Sequence, residues 1–336
     1  MKVGIIGAGR IGKVHAENIS RFIPQVGIKT VADPYMSMET ENFLKKNCNV
    51  QNVTTEAEDI INDADIEAVL ICSSTDTHSK YIIEAANVGK HIFCEKPIDY
   101  DLKKVHEAID TAKKEKVKLQ IGFCRRFDHN HKGVYDIVQS GKIGDVQMIK
   151  ISSRDPEPPA IEYVKVSGGI FYDMMIHDFD MARFLAGAEV VEVSAAGSVL
   201  IDQAIADAGD VDTAMVMLKF KNGVIAAIDN SRKAVYGYDQ RVEVFGSKGC
   251  VRDENDVPNT VVVSDENCTS YENTYKVMWN RYTDAFVSEI QSFVEAIKNN
   301  KEVPVTGEDG LYPVLIAAAA TKSLKEGRAV KISEVE

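Results

Sequence analysis

Three polar residues in one short stretch have the types and spacing to move a proton. In Gly168-Gly169-Ile170-Phe171-Tyr172-Asp173-Met174-Met175-Ile176-His177-Asp178-Phe179-Asp180, the residues Asp173, His177 and Asp180 stand at i, i+4 and i+7. That spacing predicts one helix carrying a histidine and two carboxylates on a shared face. An imidazole with a reference pKa of about 6.5 exchanges protons near neutrality, and a carboxylate one turn away orients the ring and supports its charged form. The same residues also fit a metal site, or a helix whose histidine makes a structural hydrogen bond. No HExxH, cysteine cluster or second histidine at ligand spacing accompanies them, so zinc fits poorly and no metal is expected.

Other chemistry-bearing residues gather at strand ends in the first third of the chain. Val3-Gly4-Ile5-Ile6 runs into Gly7-Ala8-Gly9-Arg10-Ile11-Gly12 and then a helix-compatible stretch from Lys13 to Ser20. This is GxGxxG between a strand and a helix, the context in which free helix amides face a diphosphate. The apolar run Gly27 to Ala32 ends at Asp33. A carboxylate there accepts hydrogen bonds from the adenosine ribose and repels a 2'-phosphate, which favours NAD over NADP. Ala68 to Cys72 leads into Ser73-Ser74-Thr75-Asp76-Thr77-His78, ahead of a helix expected near Lys80. That hydroxyl-rich loop either lines the cofactor cleft or caps the helix. His91 to Cys94 leads into Glu95-Lys96-Pro97, where the proline fixes the backbone beside a lysine at the edge of the predicted cleft.

The elements that must position these residues divide into two patterns. Strand and helix signals alternate to residue 123, as in a parallel sheet with crossover helices, so residues 1–123 are expected to form a dinucleotide-binding domain. Residues 124–336 are expected to form a substrate-binding and oligomerisation domain. Within it, segments 190–198, 211–220, 223–230 and 240–246 alternate apolar and polar residues, and Lys221-Asn222-Gly223 signals a tight hairpin. The expectation is a large, mostly antiparallel open sheet, extended by Thr260 to Ser264 and accompanied by helices Trp279 to Lys298 and Leu311 to Glu326. An open sheet face needs a cover, and a homo-oligomer packed through it is the expected answer.

With 51 acidic against 39 basic residues the formal charge is -12, which argues against a nucleic-acid partner. No apolar run is long enough to span a bilayer. The six cysteines are dispersed without a CxxC pair, as expected of reduced thiols in a cytoplasmic protein.

The chain resembles the Gfo/Idh/MocA oxidoreductase family over nearly its full length, and within it the branch of inositol dehydrogenases. The marks are Gly7-Ala8-Gly9-Arg10-Ile11-Gly12, Glu95-Lys96-Pro97, Gly122-Phe123-Cys124-Arg125-Arg126-Phe127-Asp128, Ser153-Arg154-Asp155-Pro156 and Gly168 through Asp173, followed by His177-Asp178-Phe179-Asp180-Met181-Ala182-Arg183. The resemblance implies an N-terminal Rossmann domain, a C-terminal α+β domain, and a homotetramer. It implies NAD-dependent oxidation of a small cyclic polyol, myo-inositol to its 2-ketone, with scyllo-inositol or glucose as rival substrates. By the same resemblance Lys96, Asp173 and His177 are catalytic. Gly7, Gly9, Arg10, Ile11, Gly12, Asp33, Ser73, Ser74, Thr75, His78, Glu95 and Lys96 serve the cofactor. Lys96, Arg126, Asp155, Asp173, His177, Asp180 and either Tyr236 or Tyr238 serve the substrate. Two departures stand out: Ser73-Ser74 where relatives often have Thr-Pro, and Cys124 where methionine is common. An NAD(H)-binding sensor that had lost its chemistry would lack Lys96 or His177, and both are present.

Overall fold

The structure is a computed structural model that describes residues 1–336. Along the first third run β1 (Lys2–Ile6), α1 (Arg10–Phe22), β2 (Gly27–Ala32), α2 (Met38–Asn47), β3 (Asn52–Thr54), α3 (Glu58–Ile61), β4 (Ala68–Ile71), α4 (Thr75–Asn87), β5 (His91–Glu95), α5 (Leu102–Lys114) and β6 (Leu119–Gly122). Then come α6 (His129–Gln139), β7 (Val146–Arg154), α7 (Ile161–Val164), α8 (Ile170–Asp173), α9 (Ile176–Ala186), β8 (Val190–Ser198), α10 (Gln203–Asp207), β9 (Thr213–Phe220), β10 (Ile225–Ser231), β11 (Asp239–Gly246) and β12 (Gly249–Arg252). The chain closes with β13 (Val262–Ser264), β14 (Thr269–Tyr271), α11 (Met278–Lys298), α12 (Gly307–Glu326) and β15 (Val330–Lys331).

Two compact units result, and neither is contiguous in sequence. Met1–Phe127 and Thr283–Val314 make the first; Asp128–Tyr282 and Leu315–Glu336 make the second. Dividing the chain once, after residue 123, leaves out this return of the C-terminal part. Its cause is burial: Ile290, Phe293 and Val294 of α11 are at most 1% exposed and join a core with Ile5, Leu70 and Phe93. Side chains of that size each contribute roughly 1.5–3 kcal/mol when fully buried.

In the first unit all six strands pair in parallel, in the order β3-β2-β1-β4-β5-β6. Strands β4 and β6 are buried at every position, as expected where helices cover both faces. The order reverses between β1 and β4, and ligands of open parallel sheets bind beyond the carboxyl ends of strands at such a point.

In the second unit the sheet order is β12-β11-β7-β10-β9-β8-β15, and only the pair β7 and β10 is parallel. Strand β9 buries Ala214, Val216, Leu218 and Phe220 and exposes Met215 and Met217 between them. On the exposed face Phe245, Met148 and Ile225 lie side by side in register across β11, β7 and β10. The stretch around Thr260 does not extend this sheet. Strand β13 pairs with β14 in a separate hairpin, because Asp265 accepts the Asn267 and Cys268 amides and turns the chain back on itself.

Candidate active site

In the first unit each glycine of the turn after β1 has a different task. Gly7 has φ 101°, and a Cβ there would meet the Cys72 carbonyl at 2.5 Å. A Cβ on Gly12 would collide with the Gly7 carbonyl, so that glycine lets α1 close onto the turn. A Cβ on Gly9 would meet nothing within 4 Å. Only the middle glycine leaves room for an outside group. Helix α1, whose first residues are Arg10, Ile11 and Gly12, starts from Gly9 with no side-chain cap and no acidic residue in its first turn. Its free amides therefore suit an anion. Asp33, just beyond β2, accepts the Ala8 amide at 2.7 Å and the Tyr35 amide at 2.8 Å. Those two bonds fix the carboxylate while leaving acceptor capacity for ribose hydroxyls. Open space, free amides and a placed carboxylate fit NAD.

The helix after β4 begins earlier than expected. Thr75 and His78 are its first-turn residues, and only Ser73 and Ser74 remain outside it. The Ser73 and Thr77 hydroxyls lie 2.7 Å apart, and the Thr77 hydroxyl also donates to the Ser74 carbonyl, which tightens the turn into a helix start. His78 is 1% exposed, with its ring nitrogens 2.8 Å from the Pro97 carbonyl and 3.0 Å from the Ser73 carbonyl. Burial lowers its pKa despite those carbonyls, so the ring is neutral and its one N–H serves one of them. His78 thus ties the loop after β4 to the Glu-Lys-Pro turn. In that turn Glu95 contacts His15 Nε2 at 2.7 Å. Glu289 of α11, fully buried, completes a group with His15 and Glu95 whose nearest ligating atoms lie within 4.8 Å of one another. Burial and the charge of Glu95 push the Glu289 carboxyl well above its ordinary value, so it is held as the neutral acid. Lys96 is half-buried. Arg126, 7% exposed, donates to Asp309 at 3.0 Å, and Asp309 in turn caps the start of α12 through Thr306.

In the second unit the expected single helix is two. Helix α8 ends at Asp173 and α9 begins at Ile176. The Ile170 carbonyl accepts the amides of both Met174 and Met175, so the hydrogen-bond ladder slips by one residue before it resumes from the Met175 carbonyl. Upstream, Gly168 and Gly169 have φ of 79° and 82°. A Cβ on Gly169 would meet Asp210 Oδ1 at 2.7 Å, and that same oxygen accepts the Ile170 amide. Glycine is required because the carboxylate that caps α8 packs against the backbone.

Asp173 is anchored on both oxygens: Oδ2 accepts from Arg232 Nη1 at 2.9 Å and Oδ1 from the Tyr163 hydroxyl at 2.8 Å. Arg232, just after β10, is 1% exposed, and it also lies 3.6 Å from Asp210 and 4.0 Å from Asp155. The sequence reading missed Arg232. Its only local signal is an arginine just past the end of a strand, which is ordinarily a solvated charge. Asp178 was missed as well: it accepts from Ser153 of β7 and Asn230 of β10, pinning α9 to the sheet. His177 is half-buried, whereas Asp180 is 1% exposed. Asp155 follows β7 and is held by the Ser231 carbonyl and the Ala234 amide. Tyr236 is the more exposed of the two tyrosines; its hydroxyl donates to Asp239 at 2.6 Å and accepts from Arg154 at 3.1 Å. Tyr238 is 6% exposed and packs edge-on against Tyr282.

A parallel sheet of this strand order, with this turn at its switch point, binds a dinucleotide. Joined in one chain to an open-sheet unit bearing an Asp-His step, it defines a dehydrogenase. Residues 1–123 match the oxidoreductase family with an NAD-binding Rossmann fold, and residues 131–252 match the GFO/IDH/MocA C-terminal domain. The chain belongs to the Gfo/Idh/MocA family and is an NAD-dependent oxidoreductase. It is 46% identical to the myo-inositol 2-dehydrogenase of Thermotoga maritima, over 100% of this chain and 99% of that one. It is 44% identical to the inositol 2-dehydrogenase of Rhizobium meliloti, over 99% of each. The crystal structure of scyllo-inositol dehydrogenase from Lactobacillus casei with bound NAD(H) and scyllo-inositol superposes with a TM-score of 0.92, at 33% identity over 99% of each chain.

Proposed function

We propose that the protein oxidises myo-inositol at C2 to the 2-ketone, with NAD as acceptor. The observation that carries this reading is one end of the second unit's sheet, where Asp155 and Tyr236 follow the parallel pair β7 and β10 and Asp173, the last residue of α8, meets Arg232 just past β10. A ring bearing a hydroxyl on every carbon needs several fixed polar partners, because unmatched partners are what reject a wrong substrate. The 46% identity to the myo-inositol 2-dehydrogenase of Thermotoga maritima, against 32% to a scyllo-inositol 2-dehydrogenase of Bacillus subtilis, favours the myo isomer.

NAD, when bound, accepts the carbinol hydrogen with its electron pair. His177 takes the hydroxyl proton. Asp173 supports the resulting imidazolium, and Lys96 donates a hydrogen bond to the developing alkoxide. Gly9, Arg10 and Ile11 open α1 toward the diphosphate, Asp33 holds the ribose, and Ser73, Ser74 and Thr75 border the same end of the sheet. Arg126, which pairs with Asp309, and the enclosed Asp180 complete the proposed substrate set.

Incubation with inositol isomers and hexoses, each with NAD or NADP, and NADH absorbance as readout, tests the reading. The expected result is the highest kcat/KM for myo-inositol with NAD. An equal rate with NADP overturns the role of Asp33, and turnover of glucose but no inositol overturns the substrate.

The apolar row Phe245, Met148 and Ile225 supports a homotetramer packed through the open sheet face. Light scattering at micromolar concentration is expected to give a multimer, and a monomer mass would refute it. No helix is long and apolar enough to cross a membrane, and two of six free cysteines, Cys250 and Cys268, are exposed. Exposed unpaired thiols support a reducing compartment, the cytoplasm.

A further inference from the structure

Arg232 lies outside every residue set that the reaction requires, yet it is among the largest fully buried side chains of the protein. A guanidinium stays charged at any pH a protein survives, so burying one demands compensation. Here the compensation is in excess. Three carboxylates, Asp173, Asp210 and Asp155, come within 4.0 Å of it. Burial by itself lowers the pKa of the guanidinium, and the charges of Asp173, Asp155 and Asp210 more than reverse that.

The three acids are not equivalent. Asp210 is engaged with the Ile170 amide and holds the start of α8. Asp155 is the most distant, at 4.0 Å. Asp173 alone receives a direct hydrogen bond, at 2.9 Å, and its other oxygen is fixed by Tyr163. The arginine's own backbone is set by its amide bond to the Asp212 carbonyl. The groups facing this centre are therefore Asp155 after β7, Tyr163 of α7, Asp173 of α8 and Asp210 after α10, and His177 follows Asp173 by four residues, in α9.

We propose that Arg232 is a positioning residue for the oxidation: it holds Asp173 as an oriented anion and ties Asp155 to the same centre, so one buried cation governs both proton support and substrate recognition. The inference rests on the proposed role of Asp173. Its physical basis is that three carboxylates around a buried point cannot all stay ionised without a cation. Remove the cation, and one of them takes up a proton at a higher pH than it does beside the arginine. If that one is Asp173, the imidazolium at His177 loses its counter-charge.

The test uses Arg232→Met and Arg232→Lys in the full-length protein. Carboxyl-carbon NMR, with the Asp173 signal assigned by Asp173→Asn, follows titration directly and needs no turnover. In Arg232→Met the Asp173 signal is expected to titrate at higher pH than in the parent protein, and in Arg232→Lys close to it. An unchanged Asp173 titration in Arg232→Met overturns the proposal. Should Arg232→Met not fold, Arg232→Lys decides through kinetics: its acid limb in kcat/KM against pH should stay near that of the parent while KM for the polyol rises, and an unchanged KM refutes the tie to Asp155. For folded Arg232→Met, turnover should fall about 100-fold, the size of effect that misplacing a group by an ångström produces. NADH affinity should be unaltered. A loss of melting temperature with no change in pH profile marks a merely structural role and rejects the proposal. If the parent protein turns over no inositol, the substrate reading fails while the NMR result still decides the role of Arg232.

Discussion

The two units prepare for their ligands by opposite means. In the first, the surface offered to a dinucleotide is made of backbone: Gly7, Gly9 and Gly12 shape it and the amides at the start of α1 supply its polarity. In the second, the polar centre is made of side chains from α7 and α8 and from the segments after β7 and α10, which converge on Arg232 just past β10. A backbone-built site rests on sterics within a few consecutive residues. A side-chain-built site rests on charge balance among distant ones. The first should fail by collision and the second by titration.

Four experiments probe that contrast. The largest effect is expected at His177: replacement by Ala should lower kcat by roughly 10²–10⁴-fold, the usual contribution of a general base. NADH binding, measured by fluorescence, should stay the same, and a parallel loss of NADH binding would break the separation of the two units' tasks.

Next comes a second charge network of the same unit, away from Arg232. Asp128 caps α6, contacts His131 at 2.9 Å and receives Arg281, and these residues are at most 6% exposed. Burial alone would raise the Asp128 carboxyl, but His131 and Arg281 overcome it and hold it far below its ordinary value. Asp128→Asn should destabilise the protein by about 3 kcal/mol at neutral pH, because it leaves the buried Arg281 with only the partly exposed Asp256 carboxylate, 3.0 Å away, as counter-charge. A lowered carboxyl pKa contributes stability above the unfolded value, near 3.9, that is lost as pH falls through the folded value. The deficit of the variant should therefore shrink in urea titrations as pH drops below about 4. A deficit independent of pH would show that the carboxylate's charge is not what matters.

The glycine turn offers a paired test of smaller size. Gly12→Ala should cost about 1–3 kcal/mol, since its Cβ has only the Gly7 carbonyl to displace. Gly9→Ala should leave stability within roughly 0.5 kcal/mol but weaken NADH binding, because the space beside it is open to a ligand. Equal stability loss at both positions would refute the division of roles.

The smallest effect is expected at Glu289. Because its carboxyl is already neutral in the folded protein, Glu289→Gln should change stability by less than about 1 kcal/mol near pH 4, where the unfolded carboxyl is largely protonated too. Its raised pKa means that the parent protein loses stability as pH rises through the folded value, and the Gln variant should lose less. A large loss at neutral pH would mean that Glu289 is ionised there.

How much could be read without the structure follows the same line. The glycine turn, Asp33, the parallel alternation and the one-face-buried strands of the second sheet are local patterns, and the observed elements match them closely. The start of α4 was misplaced because a Ser/Thr-rich stretch looks alike as loop and as helix start; the Ser73 and Thr77 hydroxyls decide between them. The hairpin of β13 and β14 was assigned to the large sheet because alternation reveals a strand but not its neighbour.

What the sequence determined by itself was the set of groups: a dinucleotide turn, an acidic strand end, a Glu-Lys-Pro edge, and an Asp and a His four residues apart. Those depend on residue type and short-range geometry, which the chain carries in order. Only the tertiary structure decided what those groups are bound to. The break between Asp173 and His177 follows from a carbonyl shared by Met174 and Met175. The charge environment of Asp173 follows from Arg232, 59 residues further along the chain. Such partners are chosen by folding, because electrostatic balance in a buried space depends on distance in three dimensions and not on separation in sequence.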